Sequence, residues 1–279
     1  MDYKSKNSIF NNTKTSTKEN NMNKTAVITG STSNIAIELA RKLLDQQYSL
    51  ILIARNQVQS SQLKTALLRA NPKAEITTII QDLADFSLLN GLATKLKQRC
   101  NSIELLMLNA GVLVGTKQFN KQNIELHFAL NCLSPYLLTR CLLPILSNNA
   151  DVIVSGSKAS QMVDRLELPE LINPGKFKAM TGAYAKSKAS IKPLMQELAI
   201  NHGNINFSVI DLGPTKTKMA DNQAMPWVFR IFKFLFSTPA NSAQTLINAI
   251  NKPKINLSHR TVVEDEFIKK INLLTDKFI

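Results

Sequence analysis

The sequence predicts a single α/β domain, a doubly wound parallel sheet with helices on both faces. Three observations predict it. Short β-branched or aliphatic runs alternate with longer helical patterns, and this alternation is typical of a parallel sheet covered by helices. No repeat or internal linker interrupts it. A chain of 279 residues that is 44% hydrophobic is also long enough to bury one substantial core.

The predicted elements follow this alternation along the chain. Strands are expected at residues 26–28, 50–53, 76–80, 103–108, 152–154 and 206–210. Helices are expected at residues 33–47, 58–70, 87–98, 123–146, 184–202 and 241–251, with an amphipathic C-terminal helix at residues 264–278. Residues 1–24 have too few apolar side chains to order themselves, so we expect a disordered polar tail before a domain that spans residues 25–279.

The composition and the net charge limit which binding partners and which cellular compartment we expect. The three cysteines are odd in number and lack metal-ligand spacing, which favours free thiols in a reducing, cytoplasmic setting and predicts no metal site. The formal net charge of +14 suits an anionic partner such as nucleic acid, a phosphate-rich cofactor or an acidic membrane surface. Because the basic residues are scattered and not interleaved with aromatic residues, we expect no nucleic-acid binding.

The first strand leads directly into a helix through a loop of small polar residues, Thr29-Gly30-Ser31-Thr32-Ser33-Asn34-Ile35. A doubly wound sheet binds the pyrophosphate of a dinucleotide at this place, against backbone N–H groups and the positive end of the helix. Gly30 permits a tight turn and close approach, and the hydroxyls that follow can cap the helix and donate to phosphate. Taken alone, the loop predicts no more than a capped helix start.

Tyr184 and Lys188 are four residues apart at the start of a predicted helix, and therefore share one face of it. An ammonium beside a phenol stabilises the phenolate, so Tyr184, with an ordinary pKa of ~10, could act as an acid at neutral pH. Lysine is abundant in this chain, so chance alone could supply the pair. Further motifs in the right order are needed to give it weight.

Six ordered motifs resemble the short-chain dehydrogenase/reductase family over residues 25–251. Thr29 and Gly30 match the family's nucleotide loop, whereas Asn34 and Ala36 stand where glycines are usual. Residues 158–183 form a longer insertion than the compact members have. This insertion resembles the retinol dehydrogenase and protochlorophyllide reductase branches of the family.

The resemblance implies a Rossmann fold that binds NADP(H) in preference to NAD(H). Arg55 ends the second strand where an NAD-selective site has an acidic residue, and a guanidinium suits a 2′-phosphate. Asp82 would contact the adenine, and Thr217 the amide or phosphate of the cofactor. The cofactor-binding residues implied by the family pattern are Thr29, Gly30, Ser31, Thr32, Ser33, Asn34, Ile35, Arg55, Asp82, Leu83, Asn109, Ala110, Gly111, Tyr184, Lys188, Gly213, Thr215 and Thr217.

The same resemblance implies an active site of Asn131, Ser157, Tyr184 and Lys188. Tyr184 would exchange a proton with the substrate oxygen, and Ser157 would donate a hydrogen bond to that oxygen. Lys188 would lower the pKa of Tyr184 and hold the nicotinamide ribose, while Asn131 would support a water in the proton relay. Ser155 is the alternative to Ser157 if the register of the strand differs.

The implied activity interconverts a carbonyl and an alcohol on a small molecule. Residues 224–236, within a substrate loop expected at residues 218–240, are markedly aromatic and favour a lipophilic or bulky substrate. The same segment is open to three other interpretations: a peripheral membrane contact, a contact in a homo-oligomer, or a helix packed on the protein's own core. The rival to an enzyme is a nucleotide-binding regulatory or interaction protein of this fold, because Asn34 adds bulk where backbone should approach the cofactor.

Overall fold

The structure, a computed structural model, describes residues 24–217, 224, 234, 236–252 and 262–279. Its strands are β1 (Thr25–Thr29), β2 (Ser49–Ala54), β3 (Ile76–Ile80), β4 (Ile103–Leu108), β5 (Leu146–Gly156) and β6 (Asn206–Asp211). They form one sheet in the order β3-β2-β1-β4-β5-β6, and every neighbouring pair is parallel. The predicted doubly wound parallel sheet is therefore confirmed.

Helices follow the strands in alternation. They are α1 (Asn34–Asp45), α2 (Gln57–Ala70), α3 (Leu89–Lys97), α4 (Leu126–Phe128), α5 (Ser134–Leu142), α6 (Leu168–Ile172), α7 (Ala185–Asn201), α8 (Pro239–Ile247) and α9 (Val262–Thr275). Side chains from α1, α2 and α8 pack on one face of the sheet. Those from α3, α5, α7 and α9 pack on the other face, so apolar side chains cover the sheet on both sides.

One long helical segment departs from the predicted continuous helix at residues 123–146. It consists of α4, a π-helical turn at Ala129–Leu133, α5 and a 3-10 turn at Leu143–Ile145. Residues 126–145 form a segment long and apolar enough to cross a membrane, but 78% of its apolar stretch is buried inside the protein. This segment is therefore a core helix of the domain.

A second π-helical turn, at Ala179–Tyr184, leads into α7. Tyr184 is thus the last residue of that turn, whereas the sequence predicted it as the first residue of the helix. Strand β5 is also longer than predicted, since it begins at Leu146 and includes the exposed Asn148 and Asn149. Its pairing with β4 changes register between Ile103 and Leu105, and this irregularity accommodates the polar residues.

The predicted C-terminal helix at residues 264–278 corresponds to α9 and a 3-10 turn at Asp276–Phe278. It docks through a buried network in which Tyr136 donates to Glu197 at 2.8 Å and Asn272 donates to Glu197 at 2.9 Å. Burial and the neighbouring Glu197 raise the pKa of Tyr136. All but residue 24 of the expected tail at residues 1–24, and most of the expected substrate loop at residues 218–240, namely residues 218–223, 225–233 and 235, lie outside the described part of the chain.

The order of the strands determines where a ligand can bind. Strand β1 lies between β2 and β4, so the connection after β3 crosses to the other half of the sheet. Adjacent loops diverge at such a switch point and leave a crevice beyond the carboxyl ends of the strands. The loops after β1, β4, β5 and β6 meet there.

Candidate active site

A cavity of about 800 Å³ opens at the carboxyl edge of the sheet. It is lined by residues from each predicted motif. These are the loop after β1, the ends of β2 and β3, the turn after β4, the end of β5, the start of α7 and the loop after β6. Most of the predicted site residues line it: Gly30, Thr32, Ser33, Asn34, Ile35, Arg55, Asp82, Leu83, Asn109, Ala110, Gly111, Ser157, Tyr184, Lys188, Gly213, Thr215 and Thr217. Three predicted residues, Thr29, Ser31 and Asn131, do not line it.

The loop after β1 is held by close backbone packing. Gly30 has φ +61°, and a Cβ at this position would lie 2.8 Å from Ala110 Cα, so only glycine fits. Thr29 Oγ1 accepts from the backbone N–H of Asn109 at 3.0 Å and of Ala110 at 3.1 Å. Thr29 therefore joins the ends of β1 and β4 from inside the protein.

The hydroxyls of the loop take different roles. Ser33 caps α1, since its Oγ accepts from Ala36 N at 3.3 Å. Thr32 and Asn34 line the cavity. Ser31 is fully buried, and its hydroxyl has no hydrogen-bond partner. The expectation that Ser31 donates to a phosphate does not match this geometry, because its backbone N–H bonds to Ile53 O and the side chain turns into the protein.

Asn109 links the nucleotide loop to β5. Its Nδ2 donates to Ser33 Oγ at 2.9 Å, and its Oδ1 accepts from Ser155 Oγ at 3.3 Å. Ser155 is thereby occupied by a structural hydrogen bond, while Ser157, which also lines the cavity, is hydrogen-bonded to the Tyr184 side chain. The register thus favours Ser157 over the alternative Ser155.

Tyr184, Ser157 and Lys188 come together on one wall. Burial raises the pKa of Tyr184, the hydrogen bond with Ser157 opposes the shift, and the charge of Asp211 adds to it. Burial lowers the pKa of Lys188 to about 8, and Lys188 Nζ donates to Ser155 O at 2.8 Å. The sequence predicted that Lys188 lowers the pKa of Tyr184. Burial instead dominates, and it keeps the phenol protonated.

Asn131 lies in the π-helical turn, directly behind the cavity wall. Its Oδ1 accepts from Val112 N at 2.8 Å, and its Nδ2 donates to Val112 O at 3.0 Å and to Ser187 Oγ at 3.1 Å. A Cβ on Gly111 would lie 3.0 Å from Asn131 Oδ1 and 3.8 Å from Lys188 Nζ. Asn131 therefore fixes the turn after β4 and stands next to Lys188.

The loop after β6 closes another side of the cavity. Gly213 has φ +62°, and its N–H donates to Asp211 Oδ1 at 2.9 Å. Thr215 Oγ1 is bonded to Ser242 Oγ at 2.8 Å, which ties this loop to α8. Thr217 is the last described residue before the gap in the substrate loop, and it lines the cavity.

The remaining wall is apolar. It is formed by side chains from the turn after β4, the π-helical turn, the insertion after β5, the loop after β6 and the segment before α8: Val112, Leu113, Leu130, Ala159, Met162, Met180, Leu212 and Phe236. The insertion contributes a 3-10 turn at Lys158–Met162, capped by Ser157 Oγ, and the π-helical turn that ends at Tyr184. It therefore shapes the cavity opposite the nucleotide loop.

Sequence reasoning missed two buried residues beside this wall. Glu125 and His127 are bonded to each other at 2.7 Å, and the rings of His127 and Tyr184 meet edge to face at 6.3 Å. The sequence feature that could have identified them is an ionisable pair, Glu125 and His127, at the start of an otherwise apolar helix. Among the described residues no group of side chains could hold a metal ion, and the three cysteines are free thiols.

Comparison with known proteins agrees with this architecture. The family model described as short chain dehydrogenase matches residues 24–168. Human polyprenol dehydrogenase is 25% identical over 82% of this chain and 73% of its own length. Human retinol dehydrogenase 11 is 24% identical over 81% of this chain and 72% of its own length.

Solved structures show the same fold at lower identity. An alcohol dehydrogenase from the archaeon Thermococcus sibiricus, complexed with 5-hydroxy-NADP, is 18% identical with a TM-score of 0.65, over 85% of this chain and 93% of that one. A short chain dehydrogenase from Burkholderia cenocepacia in complex with NADP is 16% identical with a TM-score of 0.66, over 81% of this chain and 90% of that one. Motifs, fold and family match confirm the predicted membership: this chain belongs to the short-chain dehydrogenase/reductase family and is an oxidoreductase of the alcohol and carbonyl class.

Proposed function

We propose that this protein is an NADP(H)-dependent oxidoreductase that interconverts a carbonyl and an alcohol on a lipophilic or bulky substrate. The observation that carries the proposal is a cavity lined both by the nucleotide loop and by Ser157, Tyr184 and Lys188. A phenol, a hydroxyl and an ammonium on one wall are the groups that proton exchange with a carbonyl oxygen requires.

The residues present suit a dinucleotide. The Gly30 turn, held by close packing on Ala110, leads into the N-terminus of α1, where free N–H groups stabilise phosphate. Arg55 lies in the cavity at the end of β2, where its guanidinium would bind a 2′-phosphate. Asp82 and Leu83 would flank the adenine, while Gly213 and Thr217 would lie beside the nicotinamide.

When bound, the nicotinamide supplies hydride to the carbonyl carbon or accepts it from the alcohol. Tyr184 gives its phenolic proton to the carbonyl oxygen during reduction, and it takes the proton back during oxidation. Its raised pKa keeps that proton in place at neutral pH. Ser157 donates to the same oxygen and stabilises the negative charge that develops there.

Lys188 serves as the cation of the site. Buried beneath Gly111 and held by Ser155 O, it would face the ribose hydroxyls and the Tyr184 oxygen. With a pKa of about 8, it remains mostly charged at neutral pH. Asn131 fixes the turn that covers it and would hold the adjoining end of a proton relay.

Apolar residues on the far wall support a lipophilic substrate, since they offer few partners to a polar one. Two relatives carry names, polyprenol dehydrogenase and retinol dehydrogenase 11, that denote lipophilic alcohols. A peripheral membrane contact through residues 224–236 would suit such a substrate, and flotation of the chain with liposomes tests it. Failure to float would remove the membrane contact and leave a cytoplasmic enzyme.

The deciding experiment is a screen of aldehydes, ketones and lipophilic alcohols with NADPH or NADP⁺ and with NADH or NAD⁺, monitored by absorbance of the reduced nicotinamide. We expect turnover of long-chain or polycyclic substrates and faster turnover with the phosphorylated cofactor. Equal rates with both cofactors would overturn the NADP(H) preference. Turnover of small polar carbonyls alone would overturn the lipophilic substrate.

Asn34 favours a second candidate, a regulatory nucleotide-binding protein with weakened catalysis. Asn34 lines the cavity at a position where the family has glycine, and its added bulk would weaken cofactor binding. Calorimetric titration with NADPH separates the candidates. Binding of NADPH without turnover would favour the regulatory protein, absence of binding at physiological concentrations would favour an interaction protein of this fold, and in either case an Asn34→Gly variant should bind NADPH several-fold more tightly.

A further inference from the structure

Glu125 and His127 form a buried polar pair in an apolar part of the core. Both side chains are at most 1% exposed. Glu125 Oε1 lies 2.7 Å from His127 Nδ1, and Glu125 Oε2 accepts from the backbone N–H groups of His127 at 2.9 Å and Phe128 at 3.2 Å. Burying such a pair costs free energy unless it is fully hydrogen-bonded, so its position calls for an explanation beyond packing.

The contacts of His127 define its tautomer. The backbone N–H of Val114 lies 3.0 Å from His127 Nε2, and an N–H group can only donate. Nε2 must therefore carry a lone pair, and the ring proton lies on Nδ1, where it is donated to Glu125 Oε1. The carboxylate thus selects the one neutral tautomer that can bind Val114.

Two side chains on the same helical segment hold the turn after β4 at two points. His127 accepts from Val114, and Asn131, four residues later, binds both backbone groups of Val112. Leu113 lies between these two points, lines the cavity and packs in one cluster with Tyr184. The rings of His127 and Tyr184 also meet in a T-shaped arrangement, with 84° between their planes.

We propose that Glu125 and His127 are positioning residues for the substrate side of the site: the pair fixes the backbone at Val114, and with it holds Leu113 against Tyr184 as the wall that the substrate contacts. This inference rests on the proposed function for its catalytic consequence. The hydrogen-bonded arrangement itself is testable without turnover.

The first test is NMR of the full chain labelled with ¹⁵N-histidine, in which only three histidines contribute. We expect one histidine with a protonated Nδ1 and an unprotonated Nε2, absent from the His127→Gln spectrum. In a uniformly ¹⁵N-labelled sample, the Val114 amide should exchange with solvent as slowly as amides of the sheet. A protonated Nε2, or exchange of Val114 at the rate of an exposed loop, overturns the proposal whether or not the chain turns over any substrate.

The second test compares kinetics of two variants. Glu125→Gln keeps one oxygen that can accept from Nδ1 but puts an amide N–H₂ against the backbone N–H groups of His127 and Phe128, so it should lower stability while changing KM for the lipophilic substrate by less than about threefold. Glu125→Gln combined with His127→Leu removes the acceptor for Val114 without leaving a carboxylate unpaired. Loss of one such hydrogen bond should raise that KM about tenfold.

The changes in KM, kcat and NADPH affinity together distinguish a positioning role from a general destabilisation of the fold. For the double variant we expect NADPH affinity within about twofold of the parent and kcat within about threefold, since the nucleotide loop is not involved. A fall in kcat with KM unchanged, matched by a lower fraction of folded protein, would assign the pair a purely structural role.

Discussion

The two ends of the cavity differ in what forms their walls, which is backbone at one end and side chains at the other. At the nucleotide end the wall is backbone, since Gly30 approaches Ala110 too closely for any side chain and Thr29 binds two backbone N–H groups. At the substrate end the wall consists of side chains such as Leu113 and Met180, packed around Tyr184. Backbone sterics permit few residue types, whereas apolar packing permits many. Substitutions should therefore act through strain and charge at one end and through shape at the other.

The largest expected effect is at Tyr184, where the two ends meet. Tyr184→Phe removes only the hydroxyl, and proton transfer by a positioned side chain contributes ~10²–10⁴-fold, so we expect kcat to fall about 10³-fold. NADPH affinity, measured by calorimetry, should stay within about twofold. A Phe variant with full activity would show that another group supplies the proton.

A pair of glycines tests the backbone end. Gly30→Ala forces a Cβ to 2.8 Å from Ala110 Cα at a positive φ, and such strain should cost ~1–3 kcal/mol of stability and weaken NADPH binding at least tenfold. Gly91→Ala is the matched control, because a Cβ there meets nothing within 4 Å and lies inside α3. It should be neutral or stabilise by up to ~1 kcal/mol.

Urea unfolding and calorimetry check both glycine variants. If Gly91→Ala weakened cofactor binding as strongly as Gly30→Ala, the effect could not be assigned to the nucleotide loop. If neither variant changed binding, the backbone account of this end of the cavity would be wrong.

Arg55 tests the contribution of charge at the same end. A guanidinium bound to phosphate contributes about 1.5–3 kcal/mol, so Arg55→Ala should weaken NADPH binding about tenfold or more. NADH lacks the 2′-phosphate, and its affinity should change by less than about twofold. If both cofactors lost affinity by the same factor, so that the ratio of their KM values stayed unchanged, Arg55 would support the loop and would not select the cofactor.

The smallest effect concerns pH at Lys188, whose pKa burial lowers from 10.5 to about 8. The side chain is charged below that pH and neutral above it, while Tyr184 remains protonated throughout this range because its pKa is raised. The value of kcat/KM for reduction should therefore fall as pH rises through about 8. Lys188→Arg stays charged, so its slower reaction should show no fall in this window.

The same shift has a consequence for stability. The unfolded lysine binds more protons than the folded one between about pH 8 and 10.5, so this group makes the protein more stable as pH rises through that window. Lys188→Met should remove this dependence in unfolding measurements. An unchanged pH profile of stability would mean that the folded lysine keeps its ordinary pKa.

Most of the fold could be predicted from the sequence because each buried parallel strand carries a run of aliphatic or β-branched residues. The start of β5 lacks such a run, since its first residues include Asn148 and Asn149. The π-helical turn at Ala129–Leu133 was not predictable either, because residues 129–133 suit an α-helix equally well. Hydrogen-bond register is fixed by neighbours, in this case the bonds from Asn131 to Val112.

The candidate site was predicted best where its residues end strands, since strand order alone brings those positions together. Side-chain direction within tight loops was less predictable. Ser31 resembles its neighbours in sequence, yet it turns into the protein because its backbone bonds to Ile53. Glu125 and His127 went unassigned because their partner, Val114, lies on the preceding loop and is not adjacent in any helical pattern.

The turn at Ala129–Leu133 also affects how this chain can be aligned and recombined with its relatives. A π-helical turn contains one residue more than the α-helical turn it replaces, and each α-helical residue rotates the chain by ~100°. A relative with a one-residue gap here would have a continuous α-helix, in which the flanking residues keep their faces while residues of the turn, Asn131 among them, would change theirs. Gene-shuffling junctions should therefore lie outside this segment, even where the flanking residues match.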